Sequence, residues 1–491
     1  MSARGSLLAI ALSLAPIAAR AQEAVDAAPT TAPPEAGPLS LDAVLRAVDR
    51  AFPLLQAARR DQDVADADLL SAEGAFDPAL RLRGGGVGGG YYEYLRADAV
   101  VEQPTQLWGA TLFAGYRIGR GVSYGGIPNY YGHYETNDYG EVRAGVQIPL
   151  WRNGPIDRRR ASIRRAELGR PIAALNVEQA TLEYRRAATQ RYWDWVAAGR
   201  RLAVARALLG IATARNAGLA ERVARGDLPA IERVDNVRAV AQREGLVAAA
   251  ERGLQQAAIE LSLYLRDERG NAVTPTPAQL PDGLPEPVPL AGVAMRSEVD
   301  SAQARRPELR RLAAKRAQLE IERDLARNQT MPAVDVVVAA SQDLGPGSYT
   351  RERPEVDAAL VVDIPILNRV ARGRVRAAEA GIARIEEQSR FARDRVNADV
   401  RDALSAVEAA LQRHAAARRE VEVAREVEAA ERARFDLGDS TLLAVNLREQ
   451  AAAEASVREI DARADYHRAV AAYRAATATQ EALTPAPPSP R

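Results

Sequence analysis

The sequence predicts a mainly α-helical protein that also carries a membrane β-barrel, built from a duplicated helix–β-hairpin–helix–helix unit. Three observations support this fold class: a proline spacing that occurs twice, alternating runs of about ten residues, and long proline-free stretches rich in alanine, arginine and glutamate. Alternating runs are typical of strands, and the long stretches are typical of helices. The 491-residue chain therefore divides into two similar halves.

Two proline pairs mark the beginning of each half. Pro53 precedes Pro78 by 25 residues, and Pro307 precedes Pro332 by the same distance. The segment between each pair is charged and rich in leucine and alanine. Because the residue before a proline favours an extended conformation, each segment is predicted to be a helix that ends before the second proline. The two predicted helices cover residues 39–75 and 299–330.

The β part of each half ends on a similar pentapeptide, VQIPL at 146–150 and VDIPI at 362–366. Proline lacks an amide hydrogen and is tolerated at the end of a strand rather than inside a central one, so Pro149 and Pro365 are predicted to join the barrel to the following helices. Trp151 is the predicted interfacial anchor beside the first junction. The predicted β parts are the strands and loops at 78–150 and the hairpin at 332–366.

A long helical hairpin is predicted after each junction. Residues 369–437 contain no proline and carry an apolar stripe that includes Val396, Val400 and Leu404. A helix of this length is a rod of roughly 100 Å, which suits passage across an envelope compartment. A Gly-Asp pair interrupts each hairpin, near 226 and near 438. The predicted hairpins cover 152–268 and 369–480, so the repeats cover 39–268 and 299–480, with a proline-rich equatorial connector at 269–298.

The termini predict export. Residues 1–21 combine an early arginine, an apolar run and a small-residue cleavage site, as in a signal peptide. Residues 22–38 are expected to be a flexible N-terminal segment, and residues 481–491 a disordered tail. No later segment offers about 20 consecutive apolar residues, so a membrane location would require a closed barrel.

The first half leaves the number of its strands open. Its β interval is 38 residues longer than that of the second half and holds nine of the fifteen tyrosines. Such aromatic enrichment suits interfacial girdles or an external loop. The number of strands must be even, because the helices on both sides have to lie in one compartment, but it could be two or four.

The composition offers little for catalysis or for small ligands. With 66 basic and 65 acidic residues, the chain lacks the charge excess typical of nucleic-acid binders. It has no cysteine, and its three histidines lie far apart. The glycine run at 84–90 is followed by strand-like sequence rather than by a helix, so a loop is favoured over a phosphate-binding turn. The basic run at 157–170 suits a solvated helix start, or alternatively anionic lipid head groups. No cofactor, metal site or enzymatic activity is predicted.

The segments LSLDAVLRAVDRAFPLLQAA (39–58) and RFDLGDSTLLAVN (434–446), together with the two proline pentapeptides, resemble the TolC-like outer membrane efflux family. The resemblance implies a homotrimer in which each chain gives four strands to one 12-stranded outer-membrane barrel. It also implies a helical tunnel through the periplasm that docks on a periplasmic adaptor and an inner-membrane pump. The implied function is passive export. A periplasmic coiled-coil adaptor is the alternative.

By the same resemblance, the two Gly-Asp breaks are the hairpin tips that meet the adaptor. Glycine suits such turns because it adopts left-handed conformations at low cost. The aspartates are also candidates for helix N-caps, and the two roles are compatible. The predicted docking residues are Gly226, Asp227, Leu228, Gly438, Asp439 and Ser440.

The resemblance also has one departure, which concerns the periplasmic entrance. The best-known family members carry acidic rings six and nine residues after the second tip glycine, where this chain has Ala444 and Leu447. The equivalent positions of the first repeat are Glu232 and Asp235, which lie one helical turn apart. We expect these two acids to form the constriction, although two solvated helix acids are the alternative.

Overall fold

The computed structural model of the protein describes residues 37–89, 93–121, 135–290 and 294–479. The predicted signal peptide at 1–21, nearly all of the segment at 22–38 and the predicted tail at 481–491 lie outside these residues. The described helices are α1 (Leu41–Ala51), α2 (Pro53–Glu73), α3 (Arg158–Ala224), α4 (Ala230–Ser262), α5 (Met295–Arg305), α6 (Pro307–Asn328), α7 (Arg369–Asp436) and α8 (Leu442–Thr477). The described strands are β1 (Ala79–Val87), β2 (Tyr94–Pro104), β3 (Thr111–Gly121), β4 (Glu141–Pro149), β5 (Ala333–Asp343) and β6 (Glu355–Asp363).

Each of the two helices predicted before the β parts is in fact two helices. Phe52 and Arg306 are extended, with ψ angles of 121° and 122°, and separate α1 from α2 and α5 from α6. The prolines that follow them occupy the first position of the next helix, where a missing amide hydrogen costs nothing. The prediction of continuous helices over 39–75 and 299–330 was therefore wrong, because the proline starts a helix and breaks the one before it. Helix α5 also begins within the connector predicted at 269–298.

The six described strands form one antiparallel sheet in sequence order, from β1 to β6. The first repeat supplies four strands and the second supplies two, which corrects the expectation of four strands per chain. The additional reversal lies at 105–110, where Trp108 and Gly109 have positive φ angles of 52° and 72°. A Cβ atom on Gly109 would lie 2.5 Å from the carbonyl oxygen of Asn153. This turn thus packs closely against the chain that leads from β4 to α3.

The two faces of this sheet differ in chemistry. One row of paired residues crosses all six strands on one face and is apolar throughout: Leu80, Val101, Ala114, Ala144, Ala340 and Val356. A row on the other face is charged from β1 to β5: Arg83, Asp98, Arg117, Glu141 and Asp343. Because successive side chains of a strand point to opposite faces, the first row belongs to a face that is mainly apolar, with Arg120 in β3 as a charged exception, and the second row belongs to a charged face.

The helices pack as two long antiparallel hairpins, α3 with α4 and α7 with α8. Helix α3 is continuous over 67 residues in spite of Pro171 within it, and α7 has 68 residues. At 1.5 Å per residue, each is a rod of about 100 Å. Over the described residues, none of the helices combines the length and the apolar character needed to span a membrane.

The largest apolar core surrounds Trp195 of α3, whose side chain is fully buried. Helices α1, α3, α4 and α8 and the proline-rich connector all contribute to it. The phenol of Tyr192 donates a hydrogen bond of 2.9 Å to the carbonyl oxygen of Leu39, which fixes the start of the first repeat against α3. Further members of this core are Val44, Val48, Leu261, Leu284 and Ala464.

Candidate functional site

The two hairpin tips have the same backbone geometry. Gly226 and Gly438 have φ angles of 81° and 83°, in the left-handed region. At the first tip, the amide of Asp227 donates to the carbonyl of Arg222 at 2.9 Å. At the second, the amide of Asp439 makes the same bond to Arg434, also at 2.9 Å. This is the Schellman arrangement, in which a left-handed glycine closes a helix by satisfying its last carbonyls.

Neither tip aspartate caps the next helix. Helix α8 is capped by Thr441, whose hydroxyl accepts from the amide of Ala444 at 3.3 Å. Helix α4 follows Pro229 without a side-chain cap. The N-cap interpretation of Asp227 and Asp439 was therefore wrong, because the N-cap position of each following helix lies two residues beyond the aspartate, at Pro229 and Thr441. Both aspartates are exposed at the end of the hairpin.

An apolar cluster joins the two hairpins just behind the tips. Its buried members come from α3, α7 and α8, and Leu228 of the first tip packs against them. The guanidinium of Arg222 lies 5.5 Å from the ring centre of Phe435. Leu437, at the second tip, points outward with 85% of its surface exposed. The buried members are Leu219, Phe435, Leu442 and Val445.

A buried ionic cluster lies on α8 beyond these residues, and sequence reasoning missed it. The carboxylate of Glu449 is fully buried and pairs with Arg215 of α3, with Arg243 of α4 at 2.8 Å and with Arg432 of α7 at 3.0 Å. Burial lowers the pKa of Arg215, while the charge of Glu449 opposes that shift. One acid therefore ties all four hairpin helices together. Its position on a stripe of otherwise apolar and small side chains, between Val445 and Ala452, was the available signal.

The two acids predicted at the entrance differ in their contacts. The carboxylate of Asp235 accepts a hydrogen bond of 3.0 Å from Arg238 and one of 3.4 Å from the side-chain amide of Asn446. The second bond links Asp235 to a residue beside the buried ionic cluster. Glu232 makes no side-chain hydrogen bond or ion pair with any described residue. At the second tip, Leu447 is exposed on α8.

The first strand-to-helix junction is a compact polar turn. Pro149 is the last residue of β4, and Trp151 beside it is 59% exposed. Asn153 has a left-handed φ of 72°, and its amide donates to the side chain of Asn328 at 2.8 Å. The guanidinium of Arg160, in the first turn of α3, donates to the carbonyl oxygen of Asn153 at 2.6 Å. This arrangement fixes the direction in which α3 leaves the sheet.

The second junction differs in detail. Strand β6 ends at Asp363, so Pro365 lies two residues beyond the strand rather than at its end. Asn368, with a φ of 48°, is the residue before α7, and its side-chain amide donates to the carbonyl of Thr330 at 2.8 Å. Asp363 pairs with Arg152 at 2.6 Å and so links the two junctions.

The long helical hairpins thus continue into a sheet whose strands alternate between an apolar and a charged face, and such alternation is typical of outer-membrane strands. Residues 299–479, which cover the second repeat, match the family model of the outer membrane efflux proteins. The resemblance predicted from the sequence is confirmed. The matched family comprises efflux channels rather than enzymes.

Solved channels share the fold over nearly the whole chain. The outer-membrane channel OprN superposes with a TM-score of 0.64 at 14% identity, covering 89% of each chain. CmeC from Campylobacter jejuni gives 0.62 at 13% identity, covering 89% of this chain and 85% of that one. MtrE from Neisseria gonorrhoeae gives 0.62 at 15% identity, covering 89% and 88%. No curated protein matches the sequence.

Proposed function

We propose that the protein is the outer-membrane duct of a tripartite efflux or type I secretion system. Three copies form one path, with the sheets closed into a barrel in the outer membrane and the helices extending into the periplasm. A periplasmic adaptor and an inner-membrane pump dock on the helices, and the pump supplies the energy. Residues 1–21 direct export as a signal peptide. The observation that carries this proposal is the continuous apolar face of the sheet.

Contact between water and the apolar face of the sheet is energetically unfavourable. Many of its side chains are at least half exposed in the single chain, including Leu80, Leu82, Leu95, Val356 and Leu360. An apolar patch of this extent marks a membrane or interaction surface. The strands have nine to eleven residues, which is the length of tilted membrane strands. The charged opposite face suits a water-filled lumen.

Two neighbouring valines of β5 provide a matched test. Val338 lies on the apolar face, and Val337 lies on the charged face. An arginine near the bilayer midplane on the lipid side costs about 2–4 kcal/mol, whereas the lumen side tolerates it. We expect Val338→Arg to deplete the heat-modifiable trimer from outer-membrane fractions and Val337→Arg to leave it in place. Equal behaviour of the two variants, or a soluble monomeric wild type, contradicts the proposal.

The proposed adaptor-docking surface consists of the two tips. Gly226, Asp227 and Leu228 at the first tip, and Gly438, Asp439 and Ser440 at the second, lie at the free end of the hairpins. Several large apolar side chains near the tips are exposed: Ile231, Val234, Leu437 and Leu443. They support a docking role, because a group of exposed apolar residues suits a protein contact.

Site-specific crosslinking tests the docking surface. A photoreactive amino acid at position 437 should capture the adaptor in cells. The same group at Leu263, which is exposed at the other end of α4, should not. Equal capture at both positions contradicts docking at the tips.

The proposed acidic constriction consists of Glu232 and Asp235. The absence of an ion pair at Glu232 among the described residues supports its availability to cations, whereas the bonds of Asp235 to Arg238 and Asn446 make it the weaker contributor. We expect Glu232→Ala/Asp235→Ala to reduce cation selectivity and cation block in single-channel recordings. Glu244→Ala, an exposed acid further along α4, is the control. Unchanged selectivity in the double variant excludes the constriction.

The proposed junction between barrel and tunnel comprises Pro149, Trp151 and Pro365. The exposed indole of Trp151 supports this position, because tryptophan rings favour the interface between membrane and water. Trp108, on the turn between β2 and β3, is also about half exposed and packs beside the same junction.

A further inference from the structure

The sheet has two open edges, formed by β1 and β6. Each edge strand has nine residues, and every residue of both strands is exposed. An unpaired edge of this length leaves a row of backbone donors and acceptors without partners, which favours pairing with another strand. Six strands cannot close on themselves, because the smallest membrane barrels have about eight.

The two edges carry opposite charges. Strand β1 has two arginines, Arg81 and Arg83, and no acid, whereas β6 has three acids and no basic residue. Arg83, Glu355 and Asp357 make no ion pair with any described residue. The two edges are therefore complementary in charge as well as in backbone pairing.

The charges also lie on the same face. Arg81 is in the cross-sheet row that ends at Glu355, by way of Val100, Gly115, Arg143 and Ser341. Because side chains alternate along a strand, Arg83 and Asp357 share that face with them. Antiparallel pairing of the two edges that keeps the apolar face continuous necessarily brings these charges to one side.

We infer that β6 of one copy pairs with β1 of the next copy of this chain, so that each copy contributes all six strands to the barrel. With the proposed trimer, on which this inference rests, the barrel has eighteen strands rather than the twelve that the family resemblance implies. Barrel diameter grows roughly linearly with strand number, so the barrel is about 1.5-fold wider than a twelve-stranded one. Barrels of this size leave an aqueous channel.

The cysteine-free chain permits a direct test by disulfide crosslinking. Leu82→Cys in β1 is combined in turn with Val356→Cys, Ala358→Cys or Leu360→Cys in β6, all on the apolar face. Oxidation should give covalent dimers and trimers for at least one of these pairs. Leu82→Cys with Asp357→Cys is the control, because these side chains point to opposite faces, and it should give none.

A twelve-stranded barrel makes a different prediction. If the β1–β2 hairpin were left out of the wall, β6 would meet β3 of the next copy. Ala114→Cys in β3 would then crosslink with Val356→Cys, and Leu82→Cys would not crosslink with any β6 partner. That pattern in an outer-membrane trimer overturns the inference while leaving the proposed duct intact. A wild-type chain that forms no trimer or is absent from the outer membrane overturns both.

Charge reversal provides a second measurement. Arg83→Glu places an acid opposite the acidic edge of β6 and should lower the temperature at which the trimer dissociates in detergent. Asp357→Arg in the same chain should restore that temperature towards the wild-type value. A double variant that is no more stable than Arg83→Glu alone contradicts the pairing of these edges.

Discussion

Removal of the Glu449 carboxylate should loosen the hairpin end of the helices. In the structure this carboxylate is the shared partner of three guanidinium groups, and Arg243 among them is only 5% exposed. Glu449→Ala leaves that cation buried without its counter-charge. Breaking a buried ion pair by deleting one partner costs about 3–5 kcal/mol.

The surrounding contacts place the expected loss at the lower end of that range. Arg243 keeps a hydrogen bond of 2.9 Å to the carbonyl of Leu208, and Arg215 keeps one of 2.9 Å to the side chain of Asn446. Arg432 is already 44% exposed and can return to water. We therefore expect a loss of about 3 kcal/mol in the free energy of unfolding.

Chemical denaturation of the detergent-solubilised protein, followed by the helical circular-dichroism signal, measures this loss. Limited proteolysis should also show earlier cleavage near the tips at 226 and 438. The control is Glu251→Ala, which removes a partner of Arg206 in a half-exposed pair of 2.8 Å between α3 and α4. Such surface pairs contribute about 0–1 kcal/mol. If the two variants lose the same stability, the buried cluster does not hold the hairpins together.

Three further predictions concern acidity, the tips and the core. Burial lowers the pKa of His467 to about 4. As the pH falls, this histidine is therefore protonated in the unfolded chain before it is protonated in the folded chain. The contribution of His467 to the free energy of unfolding is complete above pH 6.5 and falls by up to about 3 kcal/mol towards pH 4. His467→Gln should flatten that acid limb in pH-dependent melting curves, and an unchanged limb refutes the assignment. Gly226→Val and Gly438→Val should each cost about 1–2 kcal/mol, because a left-handed conformation is unfavourable for a branched residue, and they should weaken adaptor capture; wild-type melting and capture contradict this. Leu261→Ala, in the core, should cost about 2–5 kcal/mol in denaturation, whereas the exposed Leu263→Ala should cost little, and similar losses would refute the placement of the core.

Much of the fold was readable from local sequence signals. Alternating apolar residues predicted β5 and β6, and the glycines at 226 and 438 predicted the two hairpin tips. The prolines were harder to interpret. At 53 and 307 proline begins a new helix rather than lying inside one, and Pro365 lies beyond its strand. A proline suits a helix start, a strand end or a loop, so its structural effect depends on the conformation of the residues after it.

Of the candidate sites, the hairpin tips could be predicted from local sequence, whereas the buried ionic cluster could not. The tips were found because a left-handed turn requires glycine at one position, which is a local constraint. Glu449 was missed because nothing near it in sequence identifies its partners. Arg215 and Arg243 lie more than 200 residues away and meet it only when two hairpins pack together.

The sequence by itself determined the long helices, the hairpin breaks and the amphipathic strands, since periodicity, glycine and proline act over a few residues. Only the tertiary structure decided that the first repeat has four strands. The turn at 105–110 becomes a reversal by packing against the junction at Asn153, some 45 residues further along the chain. Tertiary structure likewise decided which strands, with their charges, form the two open edges of the sheet and which buried residues pair with Glu449. Both depend on which distant segments meet.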